Sequence, residues 1–187
     1  MDTRATLIDQ AIGIVSKLGY AGFSYADLSS AVGIRKASIH HHFPSKGDLG
    51  VAMVEAYRTT MAGHLAGILA VERTCAKRLT CYAGLYRAAL KDKNGCLCGT
   101  LAAAVDDLPG PVREAIKIYY DENTAWIDGV LAQARASGEI GHRKLPTRQL
   151  AQMVLATLQG AMLTARAQDD VAVFDAAANA VIAFVRG

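Results

Sequence analysis

Apolar residues recur at three- and four-residue spacing along almost the whole chain, so the sequence predicts one helix after another and no strand. Leu7, Ala11, Ile14, Val15 and Leu18 fall on one face, with Asp9, Gln10, Ser16 and Lys17 opposite. This predicts an amphipathic first helix that ends near Gly19. Ser24 and Asp27, then Ser45 and Asp48, form two S-x-x-D signatures, each marking a helix start. Between them Leu28, Ala31 and Val32 make an inward stripe, Gly33 suits a turn, and Ile34 can plug the core. A short helix follows, in which Ile39 and Phe43 share one buried face and leave Lys36, Ser38, His40 and His41 outward until Pro44 stops it. A longer helix then runs from Gly47 to about Val71 through Leu49, Ala52, Met53 and Ala56.

Further helical segments at about 74–92, 97–106, 110–136, 147–167 and 170–186 lie between breakers at Asn94-Gly95, Pro109-Gly110-Pro111, Gly138 to Pro146 and Gln168-Asp169-Asp170. The last two carry buried stripes: Leu150, Met153, Val154, Thr157, Leu158, Ala161, Met162 and Ala165, then Phe174, Ala177, Ala178, Val181, Ile182 and Val185. Their other faces, with Ala151, Leu155, Gly160 and Leu163, then Ala176, Ala180 and Ala183, are also poor in charge, so one core face does not account for both helices. A symmetric four-helix interface between two copies uses such surfaces, and Leu155, Leu158, Met162, Phe174, Ala177 and Val181 are its candidates.

Composition agrees with an all-α chain. The 187 residues are 52% hydrophobic with only 4 prolines, and mean hydropathy is +0.19. The first ten residues lack a signal peptide's basic start and apolar run, and no apolar stretch is long enough to span a bilayer, so the expectation is a cytoplasmic protein without membrane association. The net charge of +3 is modest, and its arrangement matters more. Arg35, Lys36 and Lys46 fall with three histidines in a stretch free of acids. A stubby helix after a glycine turn, small and cationic on its free face, suits the DNA major groove, where Arg or Lys reaches guanine and Ser serves any base.

The same residues resemble the TetR-type transcriptional regulators, whose DNA-binding domain usually ends in G-[VI]-x-x-[GAS]-x-[LI]-[YH]-[YH]-[YH]-F-x-[SN]-K-x-x-L. Here that pattern is Gly33, Ile34, Ala37, Ile39, His40, His41, His42, Phe43, Ser45, Lys46 and Leu49, with a histidine triplet where many relatives carry tyrosines. The resemblance implies a three-helix helix-turn-helix domain over 1–46, joined by a linker helix to a helical ligand-binding and dimerisation domain over 47–187. It implies base reading by Arg35, Lys36, Ala37, Ser38 and His40. Ser24 at its helix start, His41, His42 and Lys46 are better placed to grip phosphates. It further implies a homodimer on a palindromic double-stranded operator, released when a small-molecule inducer swings the linker helix. Tyr82, Tyr86, Cys96, Tyr119, Trp126 and Met153 are candidates to line the inducer pocket, with Met162 beside them.

Cys96 follows a turn, near Lys91 and Lys93 and at a predicted helix start, conditions that lower a thiol pKa. The segment from Gly95 to Ala102 resembles a TetR-type subgroup that includes repressors answering electrophiles. Cys98 faces another way on a helix, and Cys75 and Cys81 read as packing. Consecutive histidines point about 100° apart on a helix and do not converge on one ion. Glu139 and His142 form a lone E-x-x-H in a predicted loop, so no metal and no cofactor is expected. Nucleophile and phosphate-loop motifs are missing, which argues against an enzyme. The rival from another class is a helical adaptor using its helix-turn-helix for protein contacts.

Overall fold

The computed structural model describes residues 2–91, 95–140 and 144–186, and these form helices without a strand. They are α1 (Thr3–Gly22), α2 (Tyr25–Val32), α3 (Lys36–His42), α4 (Lys46–Val71), α5 (Cys75–Lys91), α6 (Leu97–Ala102), α7 (Gly110–Ala136), α8 (Thr147–Gln168) and α9 (Val171–Arg186), with a short 3-10 turn at Val105–Asp107. The segment expected to be helical to about 106 thus stops early. After Leu101 no apolar side chain larger than alanine follows until Val105, and Asp106 and Asp107 favour a turn over a continued helix.

The chain forms two compact units. The first joins Met1–Met61 to Asn94–Tyr119, and in it α1 packs on α2 and α6, while α2 packs on α3. Leu7, Ala11, Val15, Leu28, Ile39, Phe43, Leu49 and Met53 are buried there. The helical spacing that predicted α1 fails at two positions: Leu18 is 59% exposed, and Ser16, expected on the polar side, is buried. Gly19, at φ +76°, breaks helical geometry, and Tyr20 and Phe23 beyond it close the core instead. On α2 only Leu28 is fully buried, Val32 and Ile34 are half-buried and Ala31 faces out. Gly33 takes the left-handed conformation at φ +75° and ends α2, donating its N–H to the Ser29 carbonyl. At Gly50 a methyl group would come within 2.8 Å of Val112 Cγ2, so the start of α4 and the start of α7 are in direct contact.

The second unit joins Ala62–Lys93 to Tyr120–Gly187. In it α8 lies against α9, and α5 packs on both. Leu79, Tyr82, Tyr86, Leu150, Val154, Leu158, Phe174, Val181 and Val185 are buried. Arg87 on α5 makes a two-pronged ion pair with Asp175 on α9, at 2.7 and 2.9 Å. Glu139 accepts the Cys75 N–H at 2.7 Å, satisfying one of the free amides at the start of α5. That gives the acid of the E-x-x-H pair a structural task, while its His142 lies outside the described residues, as do Asp92, Lys93 and Asn94 before Cys96. Among the described residues no helix is long and apolar enough to cross a membrane.

Candidate nucleic-acid interface and effector site

The spacing of Ile39 and Phe43 decides what α3 presents. Both are buried, at 0% and 2% exposure, so Arg35, Lys36, Ala37, Ser38, His40 and His41 are left exposed and His42 half-buried. The helix is held at its far end by Tyr25, whose hydroxyl is shared between the carbonyls of Phe43 (2.9 Å) and Ser45 (2.7 Å). Burial, helped by the charge of Asp48, pushes that hydroxyl up to about 12, so it remains a donor at neutral pH. The Tyr25 ring meets His40 edge-on at 4.7 Å, and His40 Nδ1 lies 3.3 Å from the Pro44 carbonyl. A carbonyl only accepts, so that nitrogen carries the proton and Nε2 is left as an acceptor in the neutral ring. Thr3, Ile34, Ala37, Ser38, His41 and His42 line an open groove of about 570 Å³. Sequence reasoning missed the part of α1 in this: Thr3 lines the groove, and Arg4 lies over the Phe43 ring at 5.1 Å. Nothing in the spacing of an N-terminal Thr-Arg pair signals such a place.

Ser24 takes the role its motif predicted. Its hydroxyl and amide both reach the Asp27 carboxylate, at 2.7 and 2.8 Å, completing a capping box at the start of α2. These bonds hold the Asp27 carboxyl below the usual carboxylate range. A group with a depressed folded pKa stabilises above its unfolded pKa, and that contribution is lost as pH falls through the folded value. Ser24→Ala is therefore expected to lower the melting temperature by a few degrees at pH 7, a difference that narrows on acidification toward pH 3, as read by thermal unfolding. Lys46 is turned inward. Its ammonium donates to the Tyr20 carbonyl at 2.6 Å and lies 4.5 Å above the Tyr20 ring, and burial pushes its pKa down. It ties the start of α4 to the end of α1.

The effector candidates divide into two groups. In the second unit, Tyr82 donates to Asn123 Oδ1 at 2.9 Å, lies 3.0 Å from the Tyr86 hydroxyl, and stacks on Trp126 with ring centroids 5.4 Å apart. Gln159 donates to Tyr86 at 3.3 Å. Met153 is half-buried on α8. Asn123 and Gln159 were not visible in the sequence as site residues, since each is one amide among many polar positions on its own helix. In the first unit, Cys96 Sγ lies 3.7 Å from the Tyr119 hydroxyl, and the Tyr119 ring is 5.6 Å from that of Tyr57.

Two of the thiols, Cys96 and Cys81, differ from expectation. Cys96 caps α6 and accepts the Gly99 N–H at 3.4 Å, but only 3% of it is exposed. Cys98 is fully buried, and desolvation, with Cys96 adding, pushes its thiol well up. Cys75 is pushed up to about 11 by burial and by Glu139. Cys81, read from sequence as packing, is the only half-exposed thiol. Timed alkylation with iodoacetamide followed by mass spectrometry is expected to label Cys81 first, slowly because desolvation and Glu72 raise its pKa, Cys96 later as α6 opens, and Cys75 and Cys98 only on unfolding.

On α8 and α9, Leu155, Leu158, Met162, Phe174 and Val181 are already buried within the single chain, and Ala177 is half-buried. The periodicity of two packed helices marks their inner faces first. Exposed on the same helices are Ala156, Gly160 and Leu163, then Ala176, Ala180, Ala183 and Phe184, all uncharged, with exposed Arg166 and Arg186 close by in sequence.

Two family models match the chain. Residues 7–53 match bacterial regulatory proteins of the tetR family, and residues 75–181 match the tetracyclin repressor-like C-terminal domain. A TetR-family transcriptional regulator from Agrobacterium tumefaciens has a similar crystal structure, with a TM-score of 0.94 and 32% identity covering 98% of this chain and 97% of that one. The HTH-type transcriptional repressor NemR of Escherichia coli K12 is 28% identical over 148 residues, 75% of this chain and 71% of NemR. The crystal structure of its reduced form aligns with a TM-score of 0.83. The regulator CymR of Pseudomonas putida is 42% identical over 55 residues, 29% of this chain and 27% of CymR. With both halves matched, the chain belongs to the TetR family of bacterial transcriptional regulators.

Proposed function

We propose that this regulator is a homodimeric repressor which binds a palindromic operator and is released by a small-molecule inducer. The observation that carries the DNA half is the outer face of α3: six exposed residues from Arg35 to His41 without an acid among them, backed by the fully buried Ile39. In this reading residues 1–46 bind DNA and residues 47–187 carry inducer binding and dimerisation. Arg35, Lys36, Ala37, Ser38 and His40 read base edges. His41, His42 and the amides at the Ser24-capped start of α2 grip phosphate, while Lys46, engaged with the Tyr20 carbonyl, braces the domain. The free faces around Gly160 and Ala180 join two copies, which sets the two α3 helices one turn of DNA apart, or a small multiple of it. A cytoplasmic location follows from work on DNA.

An inducer must bind the DNA-free form more tightly, and a full switch takes a preference of about 10⁴-fold. A thiol-reactive inducer is a variant favoured by two contacts: Gly99 N–H and the Tyr119 hydroxyl both stand where they can donate to a Cys96 thiolate. The likeness to NemR, solved in a reduced form, is consistent with it. Burial of Cys96 means that such a reagent reaches it only when α6 opens.

Selection of bound duplexes from a random library by the purified protein tests the reading. Enrichment of a palindrome is expected, with affinity falling steeply with salt. Arg35→Ala should then cost about 1–3 kcal/mol of discrimination at one operator position. A protein that enriches no duplex, at any salt, overturns the proposal and leaves the adaptor.

A further inference from the structure

Resting on the DNA-binding reading, we infer that Arg4, at the start of α1, grips one phosphate of the operator beside the groove that α3 enters, and that the Phe43 ring holds its guanidinium in place for that contact. The start of α1 and the end of α3 lie side by side. Thr3 lines the open groove together with Ile34, Ala37, Ser38, His41 and His42, so α1 supplies one wall and α3, with the turn before it, the other. One residue on, the Arg4 guanidinium sits 5.1 Å over the ring of Phe43, the residue that ends α3. Phe43 is buried, so its ring is a fixed platform for the cation. A long side chain that is already ordered loses less freedom on binding than one free in water.

Charge gives the partner. Arg4 is exposed and makes no ion pair among the described residues. The acids at the helix starts of this unit are engaged in caps. Asp2 accepts the Arg4 N–H at 2.9 Å, Asp27 takes the Ser24 hydroxyl and amide, and Asp48 takes those of Ser45 at 2.7 and 2.9 Å. Asp9 lies more than one helical turn further along α1. What remains beside the groove is a planar cation with the Thr3 and Ser38 hydroxyls and two imidazoles, a set suited to phosphate oxygens. Size decides between phosphate and base. A helix with its side chains is about 10–12 Å across and the major groove about 12 Å wide, so an element flanking the inserted helix meets the sugar-phosphate strand at the groove's edge.

The test uses the full chain and the duplex that it enriches from the random library. Ethylation interference shows which phosphates the parent protein needs, and Arg4→Gln is expected to lose one of those positions in each half-site while keeping the others. Affinity should fall about tenfold per half-site at about 0.1 M salt, and the slope of log affinity against log salt should flatten by about one unit per half-site. Arg4→Lys, which keeps the charge and loses the fork, should restore the slope and most of the affinity. Arg4→Met keeps an apolar side chain to cover the Phe43 ring and removes the charge, so it separates packing from phosphate contact even if Arg4→Gln folds poorly. It should lose the same phosphate and the same slope. A weaker affinity with unchanged slope and unchanged ethylation pattern means that Arg4 only covers the ring, and overturns the inference. Unchanged affinity in folded Arg4→Met does the same, and either result leaves the regulator reading standing. A parent protein that enriches no duplex overturns the regulator reading and this inference with it.

Discussion

Phe43→Ala will destabilise the DNA-binding helices by about 3–5 kcal/mol and abolish operator binding at 37 °C. The ring is 2% exposed, carries the Arg4 guanidinium over its face, and sits where α3 ends, its N–H donating to Ile39 at 2.8 Å. Its carbonyl is one of the two that Tyr25 holds. Truncation leaves a cavity under the recognition helix and frees that helix to tilt, so positioning and stability fail together. Set against a typical total of about 5–15 kcal/mol, the loss is a large share of what holds the protein folded. Urea unfolding followed by circular dichroism reads it as a lower midpoint at unchanged slope. A midpoint shift worth less than about 1 kcal/mol would mean that α3 is anchored elsewhere.

Leu163→Glu with Phe184→Glu will split the proposed dimer and weaken operator binding by about 10²–10⁴-fold, because each half-site must then be bound alone. The two side chains are 50% and 46% exposed, so the single chain gives up little packing when they change. Two copies meeting through this surface would instead bury glutamates against one another. Sedimentation velocity should show a monomer, with helix content and melting temperature close to those of the parent. A variant that stays dimeric would place the interface on another surface.

The elements were legible from local rules because each is a strong local pattern. The Ser24-Asp27 box, the Gly33 turn and the Pro44 stop lie within a few residues of what they control, and the outer face of α3 follows from two buried residues four apart. What required the structure depends on residues far apart in sequence. Lys46 reads locally as a phosphate contact, and nothing in the spacing signals that its ammonium donates to the Tyr20 carbonyl 2.6 Å away, 26 residues upstream. Cys96 satisfied every local condition for a reactive thiol, yet its neighbours bury it, while Cys81 is half-exposed. The polar chain through Tyr82 joins three helices, with Tyr82 and Asn123 41 positions apart and Tyr86 and Gln159 73 positions apart. Periodicity on α8 and α9 marked the faces that pack inside the chain, and the free faces emerged only once those were assigned.

The first compact unit is discontinuous, its N-terminal helices sharing a core with residues 94–119. A ribosome adds about 5–20 residues per second, so for several seconds after Met61 is made α1 exists without the α6 surface it packs on. During that interval its apolar side is open to chaperones and to other nascent chains. A gene fragment cut after the fourth helix would fix the protein in that unfinished condition. Such a fragment is expected to express as aggregate, and co-expression of the 94–119 segment is the simplest way to supply the missing partner.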